Sequence, residues 1–157
     1  MKKMIFLSII IIALDQSTKF LVDKFIDYNS YINIIPFCNF FNITNIRNTG
    51  IVFGMFKYRN SLFSFLISSL LVIVSLWFRR NLTKMHNKTQ RYAFCLIISG
   101  GFGNLIDRLF YKGVVDFLDF GVNYLRWPSF NIADSCICIA IIIIFVDVLK
   151  FKKNRRS

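Results

Sequence analysis

The stretch "FNIADSCICIAIIIIFVDVL", residues 130–149, decides the fold. Sixteen of its twenty residues are apolar, and its two acids, Asp134 and Asp147, lie toward the two ends. At helical rise, twenty residues reach about 30 Å, the thickness of a bilayer's hydrocarbon core. The stretch therefore predicts a membrane-spanning helix, and three more of that kind lie upstream: Met4–Val22, Ser61–Phe78 and Tyr92–Phe110. The chain has 157 residues, 55% of them hydrophobic and 19 of them Phe, which fits one membrane domain over 1–157.

The charges orient such a bundle. Net charge is +12, a value that in a soluble protein would suggest nucleic acid. Here twelve of the 20 basic residues fall into three groups: Lys2 and Lys3; Arg79, Arg80, Lys84, Lys88 and Arg91; and Lys150, Lys152, Lys153, Arg155 and Arg156. With four spans, those groups share one side, where Asp147 is the one acid and the balance is +11. The other side carries eight basic residues against seven acids, or +1. The asymmetry is a topology signal that makes both termini cytoplasmic, and it excludes a nucleic-acid reading. Lys2 and Lys3 ahead of an apolar run resemble a signal peptide, but the run continues into "DQSTK" without a small-residue cleavage site, so it is read as an uncleaved first span.

Between spans, the outer segment at about 25–60 contains "YINIIPFCNFFNITNIRNTGIVFGMF". Its β-branched and aromatic residues, broken by Pro36 and by "NTG", predict short strands lying on the outer membrane face. The fold class expected is thus an all-α polytopic membrane protein, four transmembrane helices with a small extracytoplasmic β-sheet. The second outer segment, about 111–128, holds "GVVDFLDF", where Asp116 and Asp119 stand among apolar residues.

A charge in hydrocarbon costs roughly 2.5–3.5 kcal/mol on the lenient scales, so polar groups inside spans mark the bundle interior. Asp15 and Lys19 are four apart, on one helix face, and read as an ion pair. Asn104, Asp107 and Arg108 form a stripe at the outer end of the third span, with Arg108 as a scaffold. Gly100, Gly101 and Gly103 allow a neighbouring helix to approach closely. Asn131 and Asp134 open the fourth span, while Asp147 sits at its inner end beside Lys150 as a structural acid. Asp119 is expected to be a solvated interfacial acid.

All the outer-half clusters converge on one depth, and Asp116 joins them. Carboxylates crowded at a dry boundary cannot all ionise, since like charge and desolvation raise at least one pKa. Two carboxyls sharing one proton are the machinery of an aspartic protease. Residue physics alone leaves open whether Asp107 or Asp116 belongs to the pair. Other hydrolytic chemistries are poorly supplied: the one histidine, His86, lies in the inner loop, no H-E-x-x-H is present, and Ser17 and Lys19 diverge on a helix. The four cysteines form no disulfide framework or metal set. A transporter would place its charges nearer the midplane and show repeated halves, and this chain does neither.

Taken in order, "DQSTK" (15–19), "RNTGIVFG" (47–54), "GNLIDR" (103–108), "VVDF" (114–117) and "FNIADS" (130–135) resemble the motif set of the lipoprotein signal peptidase (signal peptidase II) family. The resemblance implies an aspartyl endopeptidase of the bacterial inner membrane that cleaves diacylglyceryl-modified prolipoproteins on the amino side of the lipidated cysteine. It assigns the catalytic pair to Asp116 and Asp134, with Asp107 a structural neighbour. Asp15, Lys19, Asn48, Gly50, Asn104, Asp107, Arg108 and Asn131 match positions that shape or line the site. The resemblance also implies no metal or organic cofactor, membrane lipids and lipidated precursors as the partners without an obligate protein partner, a β-cradle near 25–60 and a mobile lid near 111–128. Where the family usually carries two small residues after its Asn-x-Gly, this chain has Ile51 and Val52, which is expected to reshape a subpocket.

Overall fold

The computed structural model describes residues 2–49, 66, 69, 70, 72, 73, 76, 80, 88–111 and 113–154. Among the described residues, three helices are long and apolar enough to cross a membrane: α1 (Lys2–Phe25), α2 (Lys88–Tyr111) and α3 (Ile132–Asn154). α1 and α2 extend their expected spans at both ends, while α3 begins two residues later than expected and ends five residues later. The expected span Ser61–Phe78 lies largely outside the described residues; those described, 66, 69, 70, 72, 73 and 76, are helical.

The helices are built inside out, as a lipid solvent requires. Leu14, Phe20 and Leu21 of α1 and Ile141, Ile142 and Phe145 of α3 face outward. Many of the buried positions are small or polar: Asp15 and Lys19 on α1, Ser99, Gly100, Gly103, Asn104 and Asp107 on α2, Ala133 and Ala140 on α3, beside the larger apolar Ile11, Val22 and Ile137. Such surfaces associate by close backbone approach and by hydrogen bonds, because lipid gives no hydrophobic incentive to bring helices together. At Gly100 an added Cβ would stand 2.4 Å from the Ala133 carbonyl oxygen, so glycine sets the α2–α3 spacing. Near the other end of α3, Asp147 accepts from Gln90 Nε2 of α2 at 2.5 Å, while the Lys150 side chain expected beside it lies outside the described residues.

Among the described residues, a four-stranded antiparallel sheet lies outside the bundle: β1 (Tyr31–Ile35), β2 (Phe41–Asn48), β3 (Val114–Val122) and β4 (Leu125–Arg126), in that spatial order. The β1–β2 connection is a 3₁₀ turn, Phe37–Asn39, entered through Pro36 and closed with Cys38 and Asn39 at positive φ. β3 and β4 meet at Asn123 and Tyr124, with Asn123 again at positive φ.

Strands occur in both outer segments: the first, where the sequence predicts them, supplies β1 and β2, and the second, where it predicts a lid, supplies β3 and β4. The β-branched and aromatic run of β3 pairs with β2, placing Asn48 opposite Val114, Ile46 opposite Asp116 and Asn42 opposite Asp119. Asp119 is not a solvated acid. It is mostly buried and held by Arg126 at 2.7 Å and by Asn42 Nδ2 at 2.9 Å.

One sheet face packs on the bundle. Val115 and Phe117 form a buried cluster with Val22 and Ile26 at the outer end of α1, flanked by Ile43, Leu118 and Ile132. A further link comes from Phe130 just ahead of α3, whose carbonyl accepts from Phe117 N and Leu118 N. The strand is thereby fixed over the ends of α1 and α3.

Candidate active site

The sequence around α3 explains how its first turn becomes a site. Asn131 precedes the helix, and its Oδ1 accepts the backbone N–H of Asp134 at 2.9 Å, a side-chain N-cap. The N–H of Ala133 is taken by Asp15 Oδ1 of α1, also at 2.9 Å. Two of the four orphan N–H groups of the helix start are thus satisfied from different elements, which locks Asp134 in register with α1.

Asp15 and its neighbours form a charge network at the same level. Lys19 Nζ lies 2.7 Å from Asp15 Oδ2 and 2.9 Å from Asp107 Oδ2, and it donates to Asn104 Oδ1 at 3.0 Å. All three charged side chains are buried, so each needs the others. Asp107 also accepts from Val115 N at 3.2 Å, which ties the end of α2 to the start of β3. Arg108 Nη1 donates to the Asn104 carbonyl at 3.1 Å and interacts electrostatically with Asp134, Asp116 and Asp107.

Asp116 stands on β3, buried, with both oxygens engaged. Asn48 Nδ2 of β2 donates to Oδ2 and Asn131 Nδ2 donates to Oδ1, each at 2.8 Å. The Asn131 amide also reaches Asn104 Oδ1 at 3.2 Å, while Asn104 Nδ2 donates to Asp134 Oδ1 at 2.7 Å. The two carboxyls are therefore bridged by two amides, in the order Asp116–Asn131–Asn104–Asp134. Burial, followed by the charge of Asp134, pushes the Asp116 carboxyl up to about 7, against the pull of Asn48, Lys19 and Asn131. A carboxyl that carries a proton near neutral pH beside a second carboxyl can take part in both general acid and general base steps.

Of the residues singled out from sequence, Asp15, Lys19, Asn48, Asn104, Asp107, Arg108, Asp116, Asn131 and Asp134 come together in this one network. Gly50 lies outside the described residues, as do Ile51 and Val52. Asp107 separates from Asp116 by partner: it is held by Lys19, Val115 N and Gln16, whereas Asp116 accepts from the side-chain amides of Asn48 and Asn131. Gln16 was not singled out. Its Nε2 contacts Asp15 Oδ2, the Gly103 carbonyl and Asp107 Oδ1 at 3.2, 3.1 and 2.9 Å. Its signal in the sequence was an amide inside an apolar span, next to Asp15. Among the described residues no group of three His, Cys, Asp or Glu side chains is arranged to hold a metal ion.

The chain is similar to known proteins over most of its length. The family model for signal peptidase (SPase) II matches residues 7–150. A lipoprotein signal peptidase of Thermodesulfovibrio yellowstonii is 40% identical over 143 residues, covering 90% of each chain. One from Borrelia hermsii is 42% identical over 158 residues, covering 94% of this chain and 89% of its own. A solved bacterial membrane enzyme superposes with a TM-score of 0.85 at 30% identity, covering 98% of this chain and 92% of that one. The chain belongs to the signal peptidase II family, and is a multi-pass membrane protease of that family.

Proposed function

We propose that this protein is an aspartic endopeptidase that removes the signal peptide from diacylglyceryl-modified prolipoproteins, cutting on the amino side of the lipidated cysteine. The observation that carries the reading is the amide-bridged pair of Asp116 and Asp134, buried where β3 meets the first turn of α3. With the pair holding one proton, the ionised carboxyl takes a proton from water as that water attacks the scissile carbonyl. The protonated carboxyl stabilises the developing oxyanion and then gives its proton to the leaving nitrogen. The C–N bond breaks, leaving a carboxylate on the signal peptide and a free amine on the lipidated cysteine.

The other residues act by position. Asn48, Asn104 and Asn131 orient the two carboxyls, Lys19 pairs with both Asp15 and Asp107, and Asp15 secures the α3 N-terminus. The basic groups at both termini and at 79–91 orient the bundle with both termini cytoplasmic, in the bacterial inner membrane, so that the site opens at the outer leaflet. A substrate whose acyl chains and signal helix both sit in the bilayer reaches that depth already confined, which contributes several kcal/mol through proximity. The test is purified protein with lipidated and unlipidated precursor, chelator present. Cleavage of the lipidated form alone is expected; cleavage that fails with chelator, or that ignores the lipid, would overturn the reading.

A further inference from the structure

Each carboxyl of the pair is preceded in the chain by a backbone N–H that another acid holds. Ala133 N, one residue before Asp134, donates to Asp15 Oδ1 at 2.9 Å. Val115 N, one residue before Asp116, donates to Asp107 Oδ2 at 3.2 Å. Asp15 lies on α1 and Asp107 on α2, so the starts of α3 and β3 are held by different helices. The separation of Asp116 and Asp134 therefore depends on how firmly Asp15 and Asp107 are tied to each other.

Two side chains of α1 make that tie. Lys19 Nζ has three N–H groups, and Asp15 Oδ2, Asp107 Oδ2 and Asn104 Oδ1 take all three. An ammonium on a four-carbon stem is a point contact, which leaves the Asp107 carboxyl free to turn about its Cβ–Cγ bond. Gln16, one helical turn before Lys19 and half-buried, supplies a second contact. Its Nε2 donates to Asp107 Oδ1 at 2.9 Å and reaches Asp15 Oδ2 at 3.2 Å and the Gly103 carbonyl at 3.1 Å. Asp107 is thus gripped at both oxygens from α1, which fixes its plane and the line from Oδ2 to Val115 N. Glycine at 103 leaves room for the junction, since a Cβ there would stand 2.6 Å from Asp15 Oδ2. The amide is also neutral, so it links two buried acids without adding a further charge to a dry site.

We propose that Gln16 is a positioning residue for the carboxyl pair. Its amide locks Asp107 to Asp15, and through the Val115 and Ala133 N–H groups that those acids hold, it sets the separation of Asp116 and Asp134. The inference rests on the peptidase reading above.

Gln16→Met keeps the length and helix preference of the side chain and removes the amide. With lipidated precursor, kcat is expected to fall about ten- to a hundredfold, the scale of a reacting group displaced by about 1 Å. KM should stay unchanged, because what is lost is alignment rather than substrate contact. A pH profile separates this from a role in folding alone. Burial and then the charge of Asp134 raise the Asp116 carboxyl to about 7; Lys19 of α1 and Arg108 of α2 also face it, and Gln16→Met alters neither. Moving the carboxyls apart weakens the effect of Asp134, so the alkaline limb of the variant's cleavage profile should move to lower pH. A role in folding alone lowers the thermal midpoint but leaves kcat per folded molecule and that limb in place. Folded Gln16→Met with kcat and limb unchanged would overturn the proposal, as would a loss confined to KM. Should Gln16→Met not fold, Gln16→Asn, one carbon too short to reach both acids, takes the same measurements; if neither folds, the amide serves the fold and the proposal is overturned. Wild-type protein that leaves lipidated precursor uncut fails the peptidase reading, whereas equal cutting by wild type and Gln16→Met fails this inference alone.

Discussion

Asn131 and Asp116 are joined side chain to side chain at 2.8 Å, and the same Asn131 caps the helix that carries Asp134. One residue thus holds one carboxyl directly and the other through its backbone. Asn131→Ala should lose the cap, about 1 kcal/mol, and the donor to Asp116, about a hundredfold in cleavage rate by analogy with a single preorganised donor. Asn131→Ser separates the two roles. Its hydroxyl can cap Asp134 N but does not reach Asp116, so thermal stability in detergent should recover while kcat stays low. Equal recovery of both would mean that Asn131 serves only the helix.

The Asp116 carboxyl, raised to about 7 by burial and by Asp134, gives a pH signature. Cleavage should fall on the alkaline side with a midpoint near pH 7, as the pair loses its last proton. Asp134→Asn and Asp116→Asn should each reduce cleavage to background with the fold retained. The linkage runs opposite to the usual acid. The native state binds the Asp116 proton more tightly than the unfolded chain, so its contribution to stability falls as pH rises from the ordinary Asp value to about 7. Thermal midpoints taken across that window should decline more for the wild type than for Asp116→Asn. Parallel declines would show that Asp116 is ionised throughout.

Lys19 bridges Asp15 and Asp107 at 2.7 and 2.9 Å, with all three buried. Lys19→Met strands two carboxylates in a dry site, and breaking a buried pair in this way costs about 3–5 kcal/mol. The triple variant Lys19→Met, Asp15→Asn, Asp107→Asn removes the stranded charge and should regain most of that loss. Denaturation in detergent checks both. A single Lys19→Met variant as stable as the wild type would show that the ammonium is not what balances the acids.

Much of this was legible because the bilayer makes polar residues conspicuous. Asp15, Lys19, Asn104, Asp107 and Asp134 stood out as charges and amides inside apolar runs, and helical spacing placed them at one depth. What spacing did not supply was pairing across elements. That Lys19 serves Asp107 as well as Asp15, or that Asp15 caps a helix more than a hundred residues away, depends on how α1, α2 and α3 pack. β3 was missed for a related reason. Its run of Val, Phe and Leu beside Asp is equally compatible with a loop at the interface, and only the register against β2 makes it a strand. Asp119 followed from the same miss, since its partners Asn42 and Arg126 lie on β2 and β4.

Two adjacent glycines on α2 offer a graded test of helix spacing. A Cβ at Gly100 would lie 2.4 Å from the Ala133 carbonyl oxygen and 2.8 Å from Ile137 Cγ1, whereas a Cβ at Gly101 would meet Val72 Cγ2 at 3.6 Å, an ordinary contact. Backbone cannot yield as a side-chain tip can, so Gly100→Ala must push α3 away from α2. Overpacking of this kind costs about 1–3 kcal/mol. Gly101→Ala should be neutral or slightly stabilising, since Ala is the better helix former by up to about 1 kcal/mol. The effect on chemistry should follow the same order. Ala133 precedes Asp134, and displacing that turn strains the Asn104–Asp134 and Asp15–Ala133 hydrogen bonds that hold the carboxyl. Folded Gly100→Ala protein should therefore cleave more slowly per molecule, with Gly101→Ala close to the wild type, in thermal unfolding and single-turnover cleavage measured side by side. Equal behaviour of the two variants would mean that the α2–α3 contact is not what sets the position of Asp134.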